Sequence, residues 1–291
     1  MFDLLRQLTY TKAVRRLART SRLHKSLRSA YFRLAAPGGR ARVTVGGLTA
    51  EFSLSNSAEL RRLEGPSYNR NVASSERASL EFLVAAVHPG DVVYDIGANV
   101  GLYSMLLSKA VGPSGQVIAF EPDSRNAQRL NENAILNRLT NFRCFRKALG
   151  EANHSGTLHL RDDDPYQSTL LAHLPRDERS SEEVVDIVAG DDFRIRMNLP
   201  IPRAVKIDVE GSELNVVRGL GTTLENEACQ FVLCEIHPHL LPMGIPDQIV
   251  KSLTDYGFRG IKLHSTGLVQ HAIGSKVWRR TNDLAIPVPG V

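Results

Sequence analysis

The sequence has few cysteines and no long hydrophobic run. Its 291 residues include three cysteines, none of which belongs to a Cys-x-x-Cys pair: Cys144, Cys229 and Cys234. This odd, scattered set does not favour a disulfide framework, so we expect reduced thiols in a cytoplasmic protein. No apolar run approaches the roughly 20 residues that a membrane-spanning helix needs. A short apolar core of the kind that opens a secretory signal is also lacking.

Positive charge is concentrated at the start of the sequence. Residues 1–42 contain eleven basic residues and one acidic residue, a net charge of +10, which leaves −5 for residues 43–291. Leucines and arginines recur there with helical spacing, which favours a solvated helix that caps the remaining domain, or a frayed tail. The alternative is that residues 1–36 contact an anionic inner membrane surface peripherally, or a partner protein. Nucleic acid is disfavoured as a partner, because the rest of the chain is acidic.

Composition divides the sequence into three predicted parts. Residues 1–42 form the basic helical arm, which ends at a Pro-Gly-Gly sequence. Residues 43–75 contain a β-hairpin with a Gly46-Gly47 turn and the segment leading into the next domain. Residues 76–291 form the main domain, in which short apolar strands alternate with helices.

The main domain reads as a Rossmann-like α/β fold. Strands are predicted near 91–96, 116–120, 142–146, 203–209, 230–236, 258–263 and 284–288, and helices near 76–87, 100–110, 124–137, 212–225 and 245–256. Such alternation predicts a mostly parallel sheet covered by helices on both faces. A polar insert, residues 150–202, separates the third and fourth of these strands and contains an acidic run at 162–164, which we interpret as a solvated turn.

A glycine-containing loop follows the first core strand. It reads Asp95-Ile96-Gly97-Ala98-Asn99-Val100-Gly101. The glycines allow backbone to approach a ligand closely, but the spacing is not the Gly-x-Gly-x-x-Gly of a dinucleotide site, and no P-loop lysine follows. A ligand with a ribose but no phosphate fits better, and S-adenosylmethionine is the common one. We therefore expect Asp95, Gly97, Asn99 and Gly101 to hold its methionine part.

The ends of the next two strands complete the predicted cofactor site. Glu121 lies 26 residues after Asp95, about where an acid that binds a ribose diol is expected. A helix cap is the alternative role, but Asp123 and Ser124 already serve as caps for the following helix. Ala148 lies in the turn after the third strand, where we expect backbone groups to meet the adenine edge.

Charged residues also end the fourth and fifth core strands. We predict that Asp208 and Glu210 orient or deprotonate an acceptor, whereas Lys206, deeper in the strand, has either a structural or a functional role. His237 follows the fifth strand and is a candidate general base. Metal ligation by Asp208, Glu235 and His237 is conceivable, but the prediction is a site without metal.

Together these motifs resemble the FkbM family of S-adenosylmethionine-dependent methyltransferases. The matching segments are Pro-Gly-Asp-Val-Val-Tyr-Asp-Ile-Gly-Ala-Asn-Val-Gly at 89–101, Phe-Glu-Pro at 120–122, Lys-Ile-Asp-Val-Glu-Gly-Ser-Glu at 206–213, and the asparagines Asn131, Asn133 and Asn137. The resemblance covers about residues 76–240. It implies a class I methyltransferase fold, with a seven-stranded sheet and one reversed strand near its edge. It also implies O-methylation of hydroxyls on sugars, polyketides and similar metabolites.

Other functions on a similar fold are less consistent with the sequence. An NAD-dependent oxidoreductase would favour three glycines in the loop. A methyltransferase of nucleic-acid bases would need an Asn- or Asp-Pro-Pro-aromatic turn or a Pro-Cys nucleophile, and the sequence has Asp-Val-Glu-Gly at 208–211 instead. A non-catalytic nucleotide-binding module is disfavoured by the intact motifs. The prediction is an O-methyltransferase for a hydroxyl of a sugar, glycan or secondary metabolite, with S-adenosylmethionine as its cofactor.

Overall fold

The structure is a computed structural model that describes residues 22–54, 59–60, 63, 73–161, 168–170, 180–238, 240–261 and 275–280. The first half of the predicted basic arm (residues 1–21), the acidic run at 162–164 and the predicted strand at 284–288 lie outside the described residues. The strands are β1 (Arg40–Val45), β2 (Leu48–Ser53), β3 (Val92–Ile96), β4 (Gln116–Phe120), β5 (Phe142–Phe145), β6 (Ala148–Gly150), β7 (His154–Arg161), β8 (Ser180–Ala189), β9 (Ala204–Ile207), β10 (Phe231–Glu235), β11 (Phe258–Ile261) and β12 (Ser275–Arg280). The helices are α1 (Arg22–Ala35), α2 (Ala73–Ala86), α3 (Leu102–Val111), α4 (Ser124–Leu136), α5 (Gly190–Arg196), α6 (Glu213–Gly219), α7 (Gly221–Glu225) and α8 (Ile245–Asp255).

Seven strands form the central sheet. Their order is β11-β12-β10-β9-β3-β4-β5. The pairings of β3, β4, β5, β9 and β10 are parallel, whereas β12 is antiparallel to both of its neighbours. The order therefore changes direction beside β3, and ligands of open α/β sheets bind at such a switch point, beyond the carboxyl ends of the strands. This confirms the predicted sheet with one reversed strand near its edge.

Apolar residues of the sheet alternate between two cores because successive side chains of a strand point to opposite faces. Val93 of β3 packs in one core with the buried faces of α2, α3 and α4 and with the hairpin β1–β2. Tyr94 and Ile96 pack in the other core with α5, α6, α7 and α8. Helices thus cover both faces of the sheet, as the sequence predicts.

Two smaller sheets flank the central one. The predicted hairpin is β1–β2, and its turn residues Gly46 and Gly47 both have positive φ, as a tight two-residue hairpin turn requires. The polar insert forms a three-stranded sheet of order β6-β8-β7. Residues of the insert also form one wall of the cavity described below.

Three local predictions differ from the structure. The reversed strand β12 was not predicted, because its sequence is rich in basic residues. The helix expected over 212–225 is two helices that meet at Leu220. The strand expected over 203–209 ends at Ile207, and Glu210 turns the chain away with a positive φ of 50°. Within the described residues, no helix combines the length and hydrophobicity that crossing a membrane requires.

Candidate active site

The glycine-containing loop lies directly against the chain that follows β9. Gly97 has a φ of +72°, and a Cβ atom there would come within 1.8 Å of the carbonyl oxygen of Asp208. Only glycine fits such a close approach in the left-handed region. Asn99 also has a positive φ, of 53°, which turns its backbone N–H toward the next strand end. The loop is therefore fixed by its neighbours in one conformation.

Glu121 receives two backbone hydrogen bonds from residues of the site. The N–H of Asn99 donates to Oε2 over 2.7 Å, and the N–H of Asp123 donates to Oε1 over 2.9 Å. Burial raises the pKa of the Glu121 carboxyl to about 7, although these hydrogen bonds act in the opposite direction. Asp123 caps α4 by accepting from the N–H groups of Arg125 and Asn126, as predicted. Glu121 is thus left to face the cavity.

A cavity opens at the carboxyl ends of β3, β4 and β9. Of the residues predicted to form the site, six line it: Gly97, Asn99, Glu121, Ala148, Asp208 and Glu210. Asp95, Gly101 and His237 lie nearby but are not among its lining residues. The insert contributes Leu158, Ser168 and Leu170 to the opposite wall. The sequence thus identified residues from four separate strand ends that surround one space.

Lys206 connects the buried side of the cavity to the glycine-containing loop. Its Nζ donates a hydrogen bond of 2.7 Å to the carbonyl oxygen of Gly97 and lies 3.2 Å from Oδ1 of Asp95. The other carboxylate oxygen of Asp95 accepts a 2.6 Å hydrogen bond from Ser104. Burial alone would lower the pKa of the Lys206 amine, but the charges of Asp95 and Asp208 raise it above its ordinary value. Lys206 is therefore a cation, and it also lines the cavity.

His237 lies among carboxylates behind the cavity wall. Its Nδ1 is 2.7 Å from Oε1 of Glu213, which is fully buried. Its Nε2 lies 3.8 Å from Asp208, 3.7 Å from Glu210 and 3.9 Å from Glu235. Burial would lower the pKa of His237, but the hydrogen bond to Glu213 and the charges of Glu210 and Asp208 raise it to about 9. The imidazole is therefore protonated at neutral pH.

The same group of side chains has the geometry of a metal site. Ligand atoms of Asp208, Glu235 and His237 all lie within 4.8 Å of one another. Because a histidine must be neutral to ligate, a metal ion would first have to displace the proton from His237.

Two functional features were missed in the sequence. Glu213 was overlooked because an acid in the first turn of a helix is an ordinary cap, and its contact with His237 joins residues on different elements. The second feature is the short segment 168–170 of the insert. Ser168 donates to Asp123 and Thr169 donates to the carbonyl oxygen of Glu210, so this segment bridges the two sides of the cavity. No sequence pattern marks it.

The strand order and the cavity at the switch point define a Rossmann-like class I methyltransferase fold. The family model for the methyltransferase FkbM domain matches residues 95–259, which is more than half of the sequence. The chain belongs to the FkbM methyltransferase family, and its cofactor is S-adenosylmethionine.

Individual relatives carry methyltransferase names. The hexuronic acid methyltransferase AglP of Haloferax volcanii is 27% identical over 203 residues, which cover 69% of this chain and 76% of AglP. Methyltransferase 1 of Beauveria bassiana is 26% identical over 153 residues, covering 47% of this chain and 61% of that protein. Among solved structures, Aeropyrum pernix fibrillarin with natively bound S-adenosyl-L-methionine has 15% identity and a TM-score of 0.44, covering 70% of this chain and 74% of fibrillarin.

Proposed function

We propose that the protein transfers the methyl group of S-adenosylmethionine to a hydroxyl group of a sugar or glycan. The observation that carries this proposal is the pair of carboxylates, Asp208 and Glu210, in the wall of the cavity that also contains the glycine-containing loop. Carboxylates are good acceptors for hydroxyl donors and can take up a hydroxyl proton as a new bond forms.

The cofactor fits the other side of the cavity. Glu121 is buried, lines the cavity and accepts only backbone N–H groups among the hydrogen bonds described above, so its remaining lone pairs suit the two hydroxyls of a ribose. Gly97 and Asn99 would contact the methionine part, and Ala148 the adenine edge. Asp95 and Gly101 support these contacts from behind the lining. When bound, the cofactor supplies an electrophilic methyl group.

Asp208 and Glu210 would then hold the acceptor hydroxyl, and one of them takes its proton. His237 acts through them: as a cation 3.7–3.8 Å away, it keeps both carboxylates ionised and in position. In this arrangement His237 is a positioning residue, and the general base is a carboxylate. The protein contributes alignment of the acceptor and the removal of a proton.

A sugar is the acceptor class that agrees best with the charges of the site. Neighbouring carboxylates suit the multiple hydroxyls of a sugar, and the name of the relative AglP describes action on a hexuronic acid. A nucleic acid is disfavoured because residues 43–291 carry a net charge of −5, whereas binding of its phosphates depends on basic groups.

The proposal is tested by incubating the protein and S-adenosylmethionine with a panel of monosaccharides, uronic acids, glycans and bulk RNA, and measuring methylated products by mass spectrometry. We expect a methylated sugar. For that acceptor, Asp208→Asn and Glu210→Gln should lower kcat, the one that removes the base by about 10²–10⁴-fold. Glu81→Gln, which alters an exposed ion pair with Arg77, is the matched control and should leave kcat unchanged.

Other outcomes would reject the proposal. Methylated RNA without methylated sugar would contradict the acceptor class. S-adenosylmethionine binding without turnover on any acceptor, in calorimetry and in the panel, would favour a non-catalytic binding module.

A further inference from the structure

Asn133 of α4 and Asn137, which caps the C-terminus of α4, attach this helix to the edge of the N-terminal hairpin. Asn137 accepts a 2.9 Å hydrogen bond from the N–H of Glu51 and donates a 2.6 Å hydrogen bond to the carbonyl oxygen of the same residue. Asn133, one helical turn earlier, accepts a 2.8 Å hydrogen bond from the N–H of Ser53. The two amides thus pair with alternate residues of β2, as the backbone of a neighbouring strand would.

Asn133 makes one contact that Asn137 does not make. Its Nδ2 donates a 2.9 Å hydrogen bond to the carbonyl oxygen of Val100, in the glycine-containing loop. Asn133 is fully buried, so its amide joins three elements inside the protein: α4, the hairpin edge and the loop. Because the oxygen binds Ser53 and the nitrogen binds Val100, neither end can be lost without leaving a buried polar group unsatisfied.

The position of Val100 affects the geometry of the proposed cofactor site. It lines the cavity and follows Asn99, whose N–H donates to Glu121 and whose Oδ1 accepts from the N–H of Val100. The orientation of the Val100 peptide therefore affects the group that we assign to ribose binding. The next residue, Gly101, is in the left-handed region with a φ of 95°, and the peptide that joins it to Val100 carries the carbonyl oxygen that Asn133 binds.

We propose that Asn133 is a positioning residue of the cofactor site, which links Val100 to Ser53 so that docking of the hairpin and binding of S-adenosylmethionine stabilise each other. This inference rests on the cofactor placement proposed above. The match to the family model begins at residue 95, whereas Ser53 lies before it. The hairpin would therefore complete the cofactor site from outside the matched segment.

Mutual stabilisation has a direct thermodynamic consequence. If the docked hairpin favours the binding-competent loop, bound cofactor must favour the docked hairpin by the same free energy. The stabilisation of the docked hairpin by bound cofactor should be greatest at the Ser53 amide, which bonds to Asn133. It should be smaller at the Glu51 amide, which bonds to Asn137.

The first experiment uses the unaltered full-length protein. Amide hydrogen exchange is followed by NMR with and without saturating S-adenosylmethionine, and Ser53 is compared with Glu51. Amides that exchange only by global unfolding are slowed equally by a ligand, so the difference between these two amides reports the local link. We expect Ser53 to be slowed several-fold more than Glu51. Equal slowing, or none at Ser53, would overturn the proposal.

The second experiment compares two truncations on the same helix. We expect Asn133→Ala to weaken S-adenosylmethionine binding in calorimetry about tenfold, as the loss of one hydrogen bond to a buried carbonyl predicts. Asn137→Ala removes the two bonds to Glu51 and one to the carbonyl oxygen of Asn133 but none to the glycine-containing loop, and we expect a change in dissociation constant of less than about twofold. Asn131→Ala is a further control, since Asn131 is exposed on α4 and the hydrogen bonds described for it go to Ala127 and Cys144, not to the hairpin or the loop.

The outcomes separate this inference from the proposed cofactor placement. If Glu121→Gln weakens cofactor binding but Asn133→Ala does not, the link through Asn133 is wrong and the placement stands. If Glu121→Gln has no effect on binding, the placement itself fails. Should Asn133→Ala not fold, the exchange experiment still tests the proposal, because it needs no variant.

Discussion

Asp95 and Lys206 face each other in register on the neighbouring strands β3 and β9, with 3.2 Å between the Asp95 Oδ1 and Lys206 Nζ atoms. The pair lies beneath the cavity, and the exposed fraction is 5% for the Lys206 side chain and zero for that of Asp95. Because Lys206 also donates to the carbonyl oxygen of Gly97, this ion pair supports the glycine-containing loop as well as the sheet.

The first prediction concerns this ion pair. Lys206→Met keeps the side-chain length but leaves Asp95 as a buried charge without its cation, so we expect unfolding in urea to require about 3–5 kcal/mol less. Lys251→Met, which breaks the exposed pair with Asp255, should leave the unfolding free energy unchanged within error. Equal losses of unfolding free energy for the two substitutions would show that the buried ion pair stabilises the protein no more than the exposed one does.

A second prediction concerns the close approach of the Gly97 and Asp208 backbones. Gly97→Ala introduces a Cβ at 1.8 Å from a backbone oxygen, so we expect a loss of more than about 4 kcal/mol in unfolding free energy, or no folded protein. Gly47→Ala is the matched control: it also has a positive φ, of 79°, but its Cβ meets no atom within 4 Å. It should cost only the left-handed backbone penalty of roughly 1–2 kcal/mol in thermal or urea unfolding.

The pKa of Glu121 predicts how cofactor binding depends on pH. With a pKa of about 7, raised from 4.5 by burial, the carboxyl is largely protonated at pH 6 and ionised at pH 8. The ionised form offers more acceptor sites to ribose hydroxyls, so S-adenosylmethionine should bind more tightly as pH rises through 7, with release of a proton. Calorimetry in two buffers measures both effects. Glu121→Gln should weaken binding and remove the pH dependence; an unchanged pH dependence would implicate another group.

The raised pKa of Glu121 also predicts that the free energy of unfolding depends on pH. Between about pH 4.5 and 7 the folded protein holds a proton on Glu121 that the unfolded chain has lost. The contribution of this group to stability therefore falls as pH rises through that window. Glu121→Gln should reduce this part of the pH dependence in urea unfolding.

The pH dependence of turnover distinguishes the two roles considered for His237. If the imidazolium holds Asp208 and Glu210 in place, kcat/KM for the acceptor, measured at saturating S-adenosylmethionine, should be level from pH 7 to 8 and fall as pH passes about 9. If the neutral imidazole is the base, kcat/KM should instead rise up to that pH, which would contradict our assignment. His237→Gln should remove the alkaline limb in either case.

The free energy of unfolding should also be higher at pH values where His237 is protonated. The pKa of His237 is raised from 6.5 to about 9, so its contribution to stability is fully present below pH 6.5 and is lost as pH rises through 9. Unfolding of the unaltered protein and of His237→Gln must therefore be compared at pH 8 and pH 10, so that a loss of structure is not mistaken for a loss of catalysis.

The site was largely predictable from the sequence because its groups lie at the ends of strands. Glu121 and Asp208 could be named since a parallel sheet brings the carboxyl ends of its strands to one edge, whatever the loops do. The segments leading to them are short apolar runs between helices. The order of strands and helices along the sequence was therefore enough to predict that these groups lie close together in the fold.

What the sequence did not predict depends on contacts between distant residues. Strand β12 was missed because three of its six residues are basic and its alternation is weak. One of them, Arg280, is only 6% exposed, and its guanidinium donates to the carbonyl oxygens of Leu224, Cys229 and Tyr256. The role of Glu213 was missed for the same reason, since its partner His237 lies 24 residues away.

The walls of the cavity come from two sources, and this division affects how the enzyme can diversify. The loop after β3 and the acid after β4 belong to the central sheet, whereas Leu158, Ser168 and Leu170 belong to the insert. We propose that substitutions at Leu158 and Leu170 reshape the space beside the cofactor while the groups of the central sheet assigned to it stay in place; Ser168 is an exception, because it donates to Asp123. New acceptors would then be acquired by changing one peripheral element.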